Sequence, residues 1–342
     1  MDFRMADFHG APFQKADPTV DPEAARLKAL SQGLETRLRE AFLKFVRDCQ
    51  DTEVLSVVAD RLARGDVEGA LALIDIHIRA LATTVPLLFQ DAAIAEASAL
   101  ASQIRIGTAI SFDPGNPIAA TLMRRSQLEF LQAMTDSQRD ATRAALAEGL
   151  ERGLGYQEAA RLFRDSIGLS AVDVAAVSNY ERLLRTGSAA ALDRQMRDMR
   201  FDPTVERSIE EREPLSEDQI GRMVDAYRRR ALAFRAVVIS RTESGRIMSE
   251  AQEVAMDQVI QQGGMTDEDV EQTWLSVDDD RTRDTHAAMQ GQVRPKGVPF
   301  DSPSGARLRY PCDPQAPAAE VCNCRCKRLF RIKLRGAGRL AA

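Results

Sequence analysis

The chain has 342 residues, enough for more than one domain, and its 44% hydrophobic and 28% charged residues suit a water-soluble globular protein. A formal net charge of -5 excludes a global basic field that would draw the whole molecule to nucleic acid or anionic lipid, so any such contact must be local. No apolar run approaches the roughly 20 residues of a bilayer span, and the N-terminus lacks the basic segment and apolar core of a secretory signal. Both point to a reducing cytoplasm, which disfavours structural disulfides.

Aromatic residues make up only 5%, and Ala, Leu, Arg and Glu dominate, a mixture that favours helices over strands. Residues 1–20 carry Gly10, Pro12 and Pro18 and no clear period, as expected of a flexible arm. Residues 21–110 read as a helical region. Leu27, Leu30, Leu34 and Leu38 step by three and four, and Ala70, Leu73, Ile74, Ile78 and Leu81 continue the pattern. Asp66 marks a helix start after a turn, and another helix begins at Pro86. "SFDPGNP" at 111–117 is a linker. Residues 111–262 form a helical middle region, with N-caps expected at Thr135 or Asp136 and at Ser170, and ends at Gly168 and Gly187. The stretch 201–214, charged and holding two prolines, reads as a second linker. From Ser216 to Gln262 an apolar stripe at Ile220, Val224, Tyr227, Ala231 and Phe234 predicts one long helix or two with a bend.

After Gly264 the texture changes. "WLSV" and "RLRYP" are β-like, "DDDRTRDTHAAMQGQ" resembles a capped helix, 294–308 reads as loop and hairpin, and "NCRCKRLFRIKL" as extended. Residues 265–335 therefore form a small α+β module, followed by a tail at 336–342. The expected fold is mainly α, a long multi-helix region followed by that module.

The C-terminal segments carry a specific resemblance. An Arg-Thr-Glu helix (Arg241, Thr242, Glu243) is followed by Trp274 leading into an acidic Asp-Arg turn (Asp280, Arg281). Then come "DRTRDTH" with Arg283 and His286, a "YPCDP" loop, and "NCRC". In this order they resemble the tailed-phage head morphogenesis family, the minor head proteins typified by protein F of phage Mu, over roughly residues 110–332. The resemblance implies a structural protein of the phage head, assembled in the bacterial cytoplasm and then part of the virion. Its implied partners are the portal protein, a scaffold or major capsid protein, and in some relatives the DNA, with no membrane. Two departures stand out: Cys312 replaces the glycine of a Y-P-G-D-P pattern, and Arg283 and His286 stand where some relatives carry C-x-x-C. That C-x-x-C and the closing C-x-C resemble a zinc site.

Alternate side chains of a strand share a face, so Cys322, Cys324 and Cys326 are expected to line one side of it. Zinc takes four thiolate or imidazole ligands, and Cys324 and Cys326 with His286 and either Cys322 or Cys312 would supply them. Reduced core cysteines and a disulfide are the alternatives. A catalytic reading, with Cys324 as nucleophile and His286 paired to Asp279, Asp280 or Asp284, competes with a structural network in which Arg281 and Arg283 neutralise the acids. Arg325, Lys327, Arg328, Arg331 and Lys333 form a basic block without an intervening acid, suited to phosphate contact or to a guarded strand edge. Arg241 and Glu243 are expected to tie the long helix to the module. Three functions follow: an assembly protein of the phage head, a zinc- or thiol-dependent enzyme, and a DNA-binding packaging accessory.

Overall fold

The computed structural model describes residues 22–104, 110–277 and 279–333. The expected arm and tail, with Arg335 and Arg339, lie outside them.

Helix α9 (Glu217–Gly263, 47 residues) is the spine. The long apolar zone is thus a single helix. Ser216 and Gln219 close a capping box at its start, and Gly264 in the left-handed conformation (φ 62°) ends it. No proline falls between, so nothing breaks the hydrogen-bond ladder. From Ser244 to Gln252 every residue is buried, which means that neighbours surround this part of the helix on all sides. Helices α1 (Pro22–Cys49) and α4 (Thr84–Gln103) pack along it, and α2 (Thr52–Ala63), α3 (Val67–Ala82), α5 (Pro117–Glu151) and α6 (Tyr156–Ser166) complete the main core.

The expectation that no segment is apolar enough for a bilayer needs correction. Val67–Gln103 is long and apolar enough by length and composition. Here it is two helices that break at Thr83, and Ile74, Ile78, Leu88, Phe89 and Ala92 from it fill the core. The N-cap expected at Thr135 or Asp136 lies inside α5. The stripe Phe130, Met134, Gln138, Ala141, Ala145 runs across that point without a break in period, and burial of this face overrides the local capping preference. Residues 111–117 do form a turn, fixed by Gln258, whose side chain accepts from the Asp113 N–H and donates to its carbonyl.

Helix α7 (Ala171–Arg185) starts on a Ser170–Asp173 capping box, as expected. The second expected linker is mostly helix α8 (Asp202–Glu211). Its proline sits in the first turn, where a missing N–H costs nothing. With α7 and the first half of α9, α8 encloses a second core around the stacked rings of Tyr180 and Tyr227, 4.6 Å apart.

The C-terminal module is a three-stranded antiparallel sheet in the order β2 (Val293–Pro295), β1 (Val270–Leu275), β5 (Lys327–Ile332), with a hairpin of β3 (Phe300–Asp301) and β4 (Arg307–Leu308). The expected capped helix over 278–292 is only the short turn α10 (Asp284–Ala287). α11 (Ala318–Val321) is equally short. Strand β5 leans on α1, α4 and α9, and Val270, Leu329 and Phe330 enter the main core. One core therefore crosses the module boundary.

Candidate functional site: a buried histidine–cysteine cluster

Trp274 of β1 is fully buried and organises a small second-layer core with Met289, Phe300, Leu308, Cys312, Cys324 and Cys326. The His286 ring meets Trp274 edge-on at 5.3 Å, which places α10 against the sheet. The His286 Nδ1 lies 3.6 Å from the Cys324 Sγ and 3.4 Å from the Cys326 Sγ. Its other nitrogen, Nε2, is 2.8 Å from the Glu320 Oε2. Glu320 is itself held by the hydroxyls of Ser302 and Thr285, which donate to it at 3.2 and 3.3 Å. The ligand atoms of His286, Cys324 and Cys326 all lie within 4.8 Å of one another. Cys312 lies alongside, its thiol donating to the Cys324 carbonyl at 3.8 Å.

The expected strand of three cysteines is not what forms. Cys322 follows α11 and is exposed, Asn323 turns the chain in the left-handed region (φ 59°), and β5 begins only at Lys327. That turn breaks the alternation, so Cys324 and Cys326 face His286 while Cys322 does not. All five cysteines are free thiols.

The protons of the cluster are shared unequally. Hydrogen bonds from Cys312 and then Cys326, with the imidazole beyond, hold the Cys324 thiol well below its ordinary value. The same sharing, with Cys324 as the thiolate, raises Cys312 and Cys326. Burial works against a charge on His286, but its bond to Cys324 outweighs that and the net shift is upward. The Cys324 thiol is thus biased toward the thiolate, the form that both nucleophilic chemistry and metal binding use, whereas a metal would need the imidazole neutral.

The residues present fit a zinc-type ion. With Zn–S near 2.3 Å and Zn–N near 2.0–2.1 Å, the N···S edge of a tetrahedron is about 3.6 Å, matching the 3.4 and 3.6 Å measured. The Glu320 contact on the opposite ring nitrogen is the outer-shell carboxylate that fixes the tautomer of a metal-bound histidine. Burial points the same way: His286, Cys324 and Cys326 are 1%, 2% and 4% exposed, as the ligands of a closed structural site are.

The surrounding charges are spent on structure. Asp279, rather than Asp280, is the working acid of the turn. Arg325 donates to it at 2.6 Å and Arg281 lies at 3.5 Å, and the Arg325 bonds hold its carboxyl well below the usual range. Asp280 is exposed and has no partner among the described residues. Arg283 donates to the Cys322 carbonyl and so pins the turn before the cysteines. Arg241 donates to the Asn323 side chain at 2.6 Å and pairs with Glu35 of α1 at 3.3 Å. Thr242 accepts from the Asn323 N–H at 2.9 Å. Arg241 makes the expected tie between spine and module, and Thr242 adds to it. Glu243 does not: it pairs at 2.9 Å with Arg246 of its own helix, whose guanidinium donates to Ser126 of α5.

The basic block is largely neutralised by acids remote in sequence. Arg325 pairs with Asp279, Lys333 with Glu271 at 2.6 Å, and Arg328 with Glu253. Arg328 is 1% exposed, lies over the Phe330 ring at 4.4 Å and donates to the Ser249 carbonyl at 2.7 Å. Lys327 is half-buried beside the cysteines, and Arg331 and Lys333 are exposed. These pairings form across the sheet and against α9, where no spacing rule could reveal them. The acid on His286 is Glu320, which no sequence signal marks, and not Asp279, Asp280 or Asp284; Asp279 binds Arg325 instead.

A family model described as phage Mu protein F like protein matches residues 140–329, more than half of the chain. No match was found among curated proteins or among solved structures.

Proposed function

The chain belongs to the phage Mu protein F like family, a phage head-related family, and from that premise we propose that it is a minor head protein acting in head morphogenesis at the portal vertex. In this reading it assembles in the bacterial cytoplasm, is retained in the virion, and works by binding rather than turnover. Its partners are the portal protein and a scaffold or major capsid protein. The observation that supports assembly over catalysis is the burial of the only His–Cys constellation among the described residues. An enzyme needs its nucleophile within reach of substrate, whereas a structural metal site is closed.

The same reading gives the cluster a role. His286, Cys324 and Cys326 would hold a zinc-type ion that cross-links α10 to the start of β5, so the module keeps its shape under the forces of assembly and packaging. When bound, the ion supplies cross-linking and charge neutralisation. The chain's own contributions are the imidazole orientation set by Glu320 and the exclusion of water by Trp274 and Phe300.

Contact with packaged DNA is a weaker second reading. The exposure of Arg331 and Lys333 favours it, but Arg325, Arg328 and Lys333 are engaged by Asp279, Glu253 and Glu271. A gel shift across salt separates the two. Retention that falls steeply with salt supports phosphate contact, and no retention at low salt removes it. The assembly role is tested by affinity capture of the tagged protein from phage-producing cells. Recovery of the portal protein is the expected result, and heads that form normally around a deleted gene would overturn the role.

A further inference from the structure

We infer that Cys312 is the fourth protein ligand of the cluster, completing a Cys3His site for a zinc-type divalent cation; this rests on the reading that His286, Cys324 and Cys326 hold a metal. Three ligands do not close a tetrahedron, and a fourth position filled by water marks an open, catalytic type of site. Here the three are buried, so the fourth donor must come from the protein. Glu320 is committed to the far nitrogen of His286. Cys322 is exposed, and its carbonyl is taken by Arg283. Cys312 is 0% exposed and its thiol reaches the Cys324 carbonyl at 3.8 Å; its sulfur lies outside the 4.8 Å group formed by the other three ligand atoms, so completing the site requires its side chain to turn inward.

Two further observations single out Cys312. Its backbone sits at φ 64°, in the left-handed region that favours glycine and that an L side chain enters only at a cost. A side chain that glycine would spare is held in place. The spine is also shaped around it: a Cβ on Gly245 would come within 2.6 Å of the Cys312 Sγ. Gly245 therefore leaves the space that the Cys312 thiol occupies between the spine and the cluster.

The test uses the full chain, reduced and stripped by a chelator, then titrated with Co2+ and, in competition, with Zn2+. Cys312→Gly removes the thiol while suiting the backbone, and circular dichroism checks that it folds; Cys312→Ser is the size-matched control. The wild type is expected to give a tetrahedral cobalt spectrum with charge-transfer absorbance for three Co–S bonds. Both variants are expected to lose intensity in proportion to one bond and to bind Zn2+ at least about tenfold more weakly, and Gly245→Ala is expected to weaken binding in the same direction. Unchanged intensity and affinity in Cys312→Gly would overturn the role of Cys312 while leaving the three-ligand reading intact. A wild type that takes up neither metal would overturn both.

Discussion

Replacing Glu253 by Gln is expected to destabilise the protein through Arg328. Glu253 projects from the spine and receives Arg328 of β5 and, at 3.4 Å, Lys296. Lys296 keeps two other acids, Asp257 at 2.7 Å and Asp267 at 3.1 Å, so it stays compensated. Arg328 does not: its remaining partners are the Ser249 carbonyl, the Gln272 side chain and the faces of Phe330 and Tyr310. Removing one partner of a fully buried pair costs about 3–5 kcal/mol. The Glu253 side chain is 32% exposed, and water screens part of the loss, so about 2–3 kcal/mol is expected. The pH dependence carries a second signature. Burial pushes the Glu253 carboxyl up, but Arg328 and then Lys296 outweigh it, and the net shift is downward. A depressed carboxyl stabilises above its unfolded pKa and loses that contribution as pH falls through the folded value. The wild type should therefore lose stability below about pH 4.3, and Glu253→Gln should be flatter there. Equilibrium urea unfolding at pH 7 and pH 4 measures both. A change within 0.5 kcal/mol at pH 7, the range of an ordinary surface substitution, together with an unaltered acid slope, would refute the reasoning.

Three further outcomes are expected. Thr242→Val should expose the C-terminal module to limited proteolysis while helicity is retained, whereas Glu243→Ala should leave the module protected, because Thr242 bonds Asn323 and Glu243 bonds within its own helix; equal cleavage of both would count against the tie. A thiol reagent under native conditions should modify Cys322 quickly and leave Cys49, Cys312, Cys324 and Cys326 until unfolding, with burial pushing the Cys49 thiol up to about 12; a fast second thiol would revive the catalytic alternative. Gly168→Ala should cost about 2 kcal/mol or more, because Gly168 has φ 80° and a Cβ there would meet Val46 at 2.6 Å and Leu232 at 2.7 Å; a neutral urea midpoint would contradict this.

Much of the helical architecture is legible in the sequence because it rests on local chemistry. The capping boxes at Ser170 and Ser216, and the left-handed glycines at 168, 187 and 264, mark helix limits that the structure reproduces. Where the reading failed, long-range packing prevailed over a local signal. Thr135 and Asp136 look like a cap but continue a buried stripe, and the proline-bearing 201–214 segment folds as α8 because Val205 has a second core to enter. The candidate site was half visible. His286, Cys324 and Cys326 were named from residue type and family resemblance, but strand alternation mistakenly added Cys322, since the Asn323 turn cannot be read from spacing. The basic block misled for a related reason. Sequence displays the seven cations of 325–339 together, while the acids that meet Arg325, Arg328 and Lys333 lie at 279, 253 and 271.

The central claim, a minor head protein stationed at the portal vertex, is tested most directly by quantitative mass spectrometry of purified phage heads and of portal complexes released from them. The account predicts a few copies per head, co-purifying with the portal protein. Absence from the heads, or abundance equal to that of the major capsid protein, would contradict it.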